Sequence, residues 1–168
     1  GRVPRLPSQF FSTAIATDGP MARDVQDAAL LLSDIAGPDI RVPSSLPESG
    51  ESFNVPLSTD VRGMRIGWSR NLGRYEVQRE VTAVCDASKA VFELLGCKVV
   101  EDEPDFRDAD EVFQTFRGLV MVMLRQKDYT HHRDQLKDTV VWNIEHGLKL
   151  TLTDFANAEA RRTALYHR

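Results

Sequence analysis

Between Met64 and Glu101 the chain runs through a short apolar stretch, a long stretch of helical period and a second apolar stretch, an order that few architectures satisfy. Met64 to Trp68 is short and apolar enough for a buried strand. Val77 to Leu95 repeats Val81, Val84, Cys85, Ser88, Val91, Phe92 and Leu95 at three- and four-residue steps, which predicts one helix. Gly96 stops it, and Cys97 to Glu101 returns as a strand. Strand, helix and strand in that order form a parallel pair with a right-handed crossover, the helix lying over one sheet face. The fold class is therefore α/β.

Upstream, Gly19-Pro20 reads as a turn, because glycine reaches backbone angles other residues resist and proline fixes the next φ. Asp24 caps a helix starting at Val25, with Asp27 three residues on. Val25, Ala28, Ala29, Leu32, Ile35 and Ala36 form its apolar stripe, and Gly37-Pro38 ends it. Residues 1–24 read as an irregular strand-and-turn lead-in, and residues 37–62, with prolines at 38, 43, 47 and 56, as a long surface loop. The last third is helical: Ala109 to Arg125, Gln135 to Gly147, and a helix opened by Thr151-Leu152-Thr153-Asp154, a capping box with aspartate in the usual glutamate place. That helix meets no stop signal before Arg168, so the native chain is expected to continue. At 168 residues the prior is one domain, 1–168, with an α/β core portion at 1–104 and a helical portion at 105–168.

Charge and composition exclude several classes of function. A net charge of −4 and a pI near 5.6 argue against a nucleic acid as direct partner. No apolar run approaches the roughly 18 residues of a membrane span, and no leader pattern opens the chain, so a soluble, cytoplasmic protein is expected. Cys85 and Cys97 are too few for a disulfide framework and lie in no zinc-ligand spacing. His131-His132 is an adjacent pair pointing in different directions from a helix, read as solvent-facing rather than as a metal site. The acidic run Asp102, Glu103, Asp105, Asp108, Asp110 and Glu111 has no EF-hand spacing and reads as solvated charge. No metal or cofactor is expected.

The run from Thr17 to Asp39, with Gly-Pro, one arginine, an apolar helix and Ala-Gly-Pro-Asp, resembles the amidase signature family. So do Gly1-Arg2-Val3-Pro4-Arg5, the stretch Leu57 to Ser69 with Val61-Arg62-Gly63-Met64-Arg65-Ile66-Gly67-Trp68, and Leu94-Leu95-Gly96-Cys97-Lys98-Val99-Val100. Lys137 to Gly147 and the helix around Ala158 to Thr163 extend the likeness to Arg168, less specifically. The resemblance implies the mixed-sheet, helix-covered core of that fold, with a variable helical region that walls a substrate funnel.

The same resemblance implies cleavage of carboxamides by a serine nucleophile, a second serine in a cis peptide and a lysine base, with backbone N–H groups forming the oxyanion hole. A serine hydroxyl attacks only once a neighbouring base takes its proton, and a lysine serves if burial lowers its pKa. The glycine- and serine-rich nucleophile segment and the lysine are expected upstream of Gly1, so no catalytic residue is assigned within the chain. Lys89, Lys98, Lys127, Lys137 and Lys149 stand in the wrong part of the family order. Ser8, Ser12, Ser44 and Ser45 lack the glycine-rich setting.

By the same resemblance Thr17 and Asp18 lie near the acyl or leaving-group side, and Met121 and Trp142 are apolar wall candidates. Gly19, Pro20 and Arg23 are structural residues near the site, with Arg23 tying the turn to the core. His146, beside Glu145 and Trp142, lines a channel on one reading and caps the negative end of a helix dipole on the simpler one. The implied partner is a small-molecule amide, and a homodimer is the oligomer the reading allows. Two alternatives stay open: the glutamine-amidase subunit of a tRNA-dependent amidotransferase, which hands ammonia to a partner, and a non-catalytic α/β interaction module.

Overall fold

The structure, a computed structural model, describes residues 1–6 and 15–168. Ser8 and Ser12 lie outside the described residues. The chain divides into two compact units, Gly1–Thr59 and Asp60–Arg168. The α/β stretch from residue 60 and the helical stretch beyond residue 104 both belong to the second.

In the first unit one helix, α1 (Val25–Ile35), starts where the capping argument places it: Asp24 is extended and its Oδ1 accepts the Asp27 N–H at 2.9 Å. Ala36 closes it by donating to the Leu32 carbonyl. The Arg2 carbonyl accepts the Gly37 N–H at 3.0 Å and the Gly1 carbonyl accepts the Leu46 N–H at 3.1 Å, so the first residues are stitched to the segment that follows the helix. That segment is turn-rich, as its prolines require, and holds one 3₁₀ turn, Gly50–Phe53, within the stretch expected to be loop throughout. The apolar stripe of α1 is partly covered in this unit: Ala28, Ala29, Leu32 and Ala36 are half-buried, while Val25 and Ile35 are exposed.

The second unit opens with the expected crossover. β1 (Arg65–Trp68) and β2 (Lys98–Glu101) pair in parallel, Arg65 opposite Lys98 and Trp68 opposite Glu101. β1 alternates exposed and half-buried residues, so it is a one-faced strand rather than the fully buried one expected. On its covered side Trp68 meets Phe92 edge to face, centroids 6.3 Å apart, and its indole N–H donates to Asp86 at 3.2 Å.

The crossover is two helices, α2 (Arg79–Ala87) and α3 (Lys89–Leu94), where the periodicity predicts one. The break falls at Ser88, whose N–H donates to the Cys85 carbonyl in the tighter three-residue pattern and whose hydroxyl donates back to the Val84 carbonyl. Hydroxyl back-bonding of this kind bends a helix without interrupting its apolar period. Gly96 then turns the chain into β2 at φ +82, a conformation for which glycine is suited.

Three helices complete the unit: α4 (Ala109–His132), α5 (Asp138–Lys149) and α6 (Leu152–His167). The buried apolar side chains among the described residues, Val112, Phe116, Ile144 and Ala158, all belong to this group, where α4 packs on both α5 and α6. α4 continues seven residues past the predicted Arg125, because its last turns dock: Tyr129 donates to Glu145 of α5 at 2.9 Å. The Arg162 guanidinium lies over the Phe116 ring at 4.6 Å and seals α6 against α4. Among the described residues no helix is long and apolar enough to cross a membrane.

Candidate functional site

The turn that leads into α1 holds the first group of candidate residues. Thr17, Asp18 and Gly19 are exposed and Pro20 is half-buried. Arg5 reaches the Asp18 carboxylate at 3.5 Å, an exposed pair that orients the aspartate at little energetic gain. Arg23 is exposed, and no hydrogen bond or ion pair to it falls among the described residues. The turn therefore offers a hydroxyl, a carboxylate and a guanidinium to solvent, beside a helix N-terminus that Asp24 already caps.

The second group stands on α4 and α5. Met121 is half-buried on α4. Trp142 is 54 % exposed on α5, and its indole stacks on the His146 imidazole one turn later, the planes 2° apart with centroids 5.3 Å apart. A tryptophan held this way is a preformed π surface, since the stacked partner limits its rotamers. The channel-lining and dipole readings of His146 are compatible, because it sits in the last turn of α5 and also supports the indole.

The neighbouring residues on α5 are polar and structural. Arg133 donates to Glu145 at 2.9 Å, and that charge-assisted bond, with the Tyr129 hydroxyl, holds the Glu145 carboxyl below the usual range and raises Arg133. Asn143 is buried, accepts from Arg117 Nε at 2.9 Å and donates to the Thr139 carbonyl at 2.6 Å.

A third feature is a cleft of about 540 Å³ at the carboxyl ends of β1 and β2, the position where open α/β sheets carry ligands. Its walls are the loops after each strand, and two non-glycine residues there have positive φ, Leu72 at 52° and Asp108 at 72°. Of the acidic run, Glu103, Asp105 and Asp108 line it; Asp102, Glu103, Asp105, Asp110 and Glu111 are exposed, as solvated charge should be, and the run also meets arginines, several of them distant in sequence. Asp105 pairs with Arg107 at 2.5 Å, Asp110 with Arg74 at 2.8 Å, Asp108 with Arg168 at 2.6 Å, and Glu111 with Arg161. Tyr75 also donates to Asp110 at 2.7 Å, which raises its phenol pKa. The signal available in the sequence was the abundance of arginine; spacing alone does not match partners 50 or 60 residues apart.

The catalytic requirements are tested most directly on the lysines and serines. Lys89 donates to Glu101 at 2.5 Å and lies 3.5 Å from Asp86, and the bond to Glu101 raises its pKa, so it is held as ammonium and cannot take a proton. Asp86 is pulled the other way: desolvation opposes ionisation, but the Trp68 N–H, Arg70 and Lys89 together outweigh it and lower its pKa. Ser45 bridges the Asp39 N–H and the Gly37 carbonyl, and Ser44 is exposed. Ser69 donates to Glu103 at 2.9 Å while accepting the Leu72 N–H, which fixes a turn. Among the described residues no serine hydroxyl is hydrogen-bonded to a lysine or a histidine, and no three metal-binding side chains converge. Both cysteines are free.

The chain is similar to known proteins. The Amidase family model matches residues 1–164. An acylamidase of Rhodococcus erythropolis is 32% identical over 161 residues, 94% of this chain and 33% of that protein. One of the subunits of the glutamyl-tRNA(Gln) amidotransferase of Chromohalobacter salexigens is 38% identical over 102 residues, 60% of this chain and 21% of that protein. Among solved structures, a bacterial aryl acylamidase of the amidase signature enzymes family superimposes with a TM-score of 0.79 and 27% identity, over 97% of this chain and 36% of that one. The chain thus spans about a third of the length of the acylamidase it matches.

Proposed function

The chain belongs to the Amidase family, and on that premise we propose that it is the scaffold and substrate-wall portion of an enzyme that hydrolyses carboxamides to a carboxylate and ammonia or an amine. The observation that carries the reading is the extent of the likeness to the acylamidase, 94% of this chain. The structure is consistent with a supporting part. Its lysine nearest to burial is paired and charged, and Ser45, Ser49, Ser69 and Ser88 serve turns and helix ends. The serine nucleophile and its base would then come from sequence outside this chain.

In this reading Trp142, with His146 behind it, and Met121 present apolar surface to the substrate, while Thr17 and Asp18 offer polar contacts from the turn before α1. Gly19, Pro20 and Arg23 shape that turn. The α/β portion, 1–104, would carry the scaffold and the helical portion, 105–168, the funnel wall. A cytoplasmic location and a homodimer complete the proposal.

The amidotransferase reading has a specific observation behind it, the 38% identity to the Chromohalobacter protein, but that likeness covers 60% of the chain. One experiment separates the readings. The reading frame encoding this chain is expressed whole and assayed for aniline release from anilides, ammonia release from aliphatic carboxamides, and ammonia release from glutamine. Turnover of anilides or simple carboxamides by the protein alone supports the amidase. Glutamine turnover that requires an added partner protein supports the amidotransferase, and no turnover of any substrate overturns both in favour of the interaction module.

A further inference from the structure

We draw no further inference here: the strongest candidate, the cleft at the carboxyl ends of β1 and β2 between the loops holding Leu72 and Asp108, has a charged lining already paired within the protein, Glu103 with Ser69, Arg74 with Asp110, Arg107 with Asp105 and Asp108 with Arg168, so nothing in the structure says which ligand chemistry it would take.

Discussion

Gly118 of α4 and Gly147 of α5 touch backbone to backbone, so that a Cβ on Gly118 would lie 2.9 Å from the Gly147 Cα and 3.1 Å from Leu150 Cδ1. A Cβ on Gly147 would overlap the Gly118 carbonyl. The helix pair that carries Trp142 and Asn143 therefore depends on two residues with no side chain, each within a helix, where glycine is otherwise unfavourable.

Gly147→Ala is expected to destabilise the second unit by about 1–3 kcal/mol, because the obstructing atom is backbone and cannot rotate away. The gain of roughly 1 kcal/mol that alanine gives an unconstrained helix is set against this and does not cancel it. Urea unfolding followed by circular dichroism measures the difference. A midpoint equal to or above that of the unmodified chain would show that α5 can move off α4 freely.

Thr151→Ala is expected to cost about 1 kcal/mol through the N-terminus of α6. The Thr151 hydroxyl accepts the Asp154 N–H at 3.2 Å, and Asp154 Oδ2 accepts the Thr151 N–H at 2.7 Å, so both halves of the box are formed. The two substitutions, Thr151→Ala and Asp154→Ala, should be less than additive, since both remove the bond in which the Thr151 hydroxyl donates to Asp154 Oδ2 at 2.7 Å. A double-mutant cycle on the thermal midpoint that sums independently would contradict the hydroxyl–carboxylate bond.

Stability should fall as the solution is acidified from about pH 4.5 toward 2. The Arg41 side chain lowers Asp39 from 3.8 to about 2, the Arg133 guanidinium lowers Glu145, and the Thr151 N–H lowers Asp154. Each folded value lies below its unfolded one, so each contribution is complete above the unfolded value and disappears as pH drops through the folded one. Unfolding midpoints taken between pH 6 and 2 test this. Glu145→Gln should flatten part of the slope, and a slope unchanged by that substitution would remove Glu145 from the account.

Local chemistry explains what was legible in the sequence. The Asp24 cap, the Thr151 box, the parallel crossover and the helix stop at Gly96 each depend on residues close to one another along the chain or on a single periodic pattern. What escaped depends mostly on distance, the local bend at Ser88 excepted. The bend at Ser88 left the apolar period intact, and α4 outran its predicted end because Tyr129 finds Glu145 on another helix. The acidic run is exposed as expected, but its pairing was hidden because Arg74, Arg161 and Arg168 arrive from dozens of residues away. The stretch Thr17–Arg23 was legible as a family pattern, inside the residues the Amidase model matches, whereas the stacking of Trp142 on His146 needed the helix to be built.

Ile144 and Trp142 are two residues apart on α5 and should behave oppositely. Ile144 is fully buried where α5 packs on α4, so Ile144→Ala removes buried methyl groups and leaves a cavity, at a cost of about 2–5 kcal/mol. Trp142 is already half in water, and its truncation loses chiefly the stack on His146, worth about 0.5–1.5 kcal/mol. If the indole faces substrate, Trp142→Ala in the whole enzyme lowers kcat/KM for anilides several-fold through KM, with aliphatic amides less affected and the melting temperature nearly unchanged. Ile144→Ala lowers the melting temperature and affects both substrate classes alike. Equal losses on both classes from Trp142→Ala, without a change in melting, would place the indole outside the aryl-binding surface and leave its exposed face to some other contact.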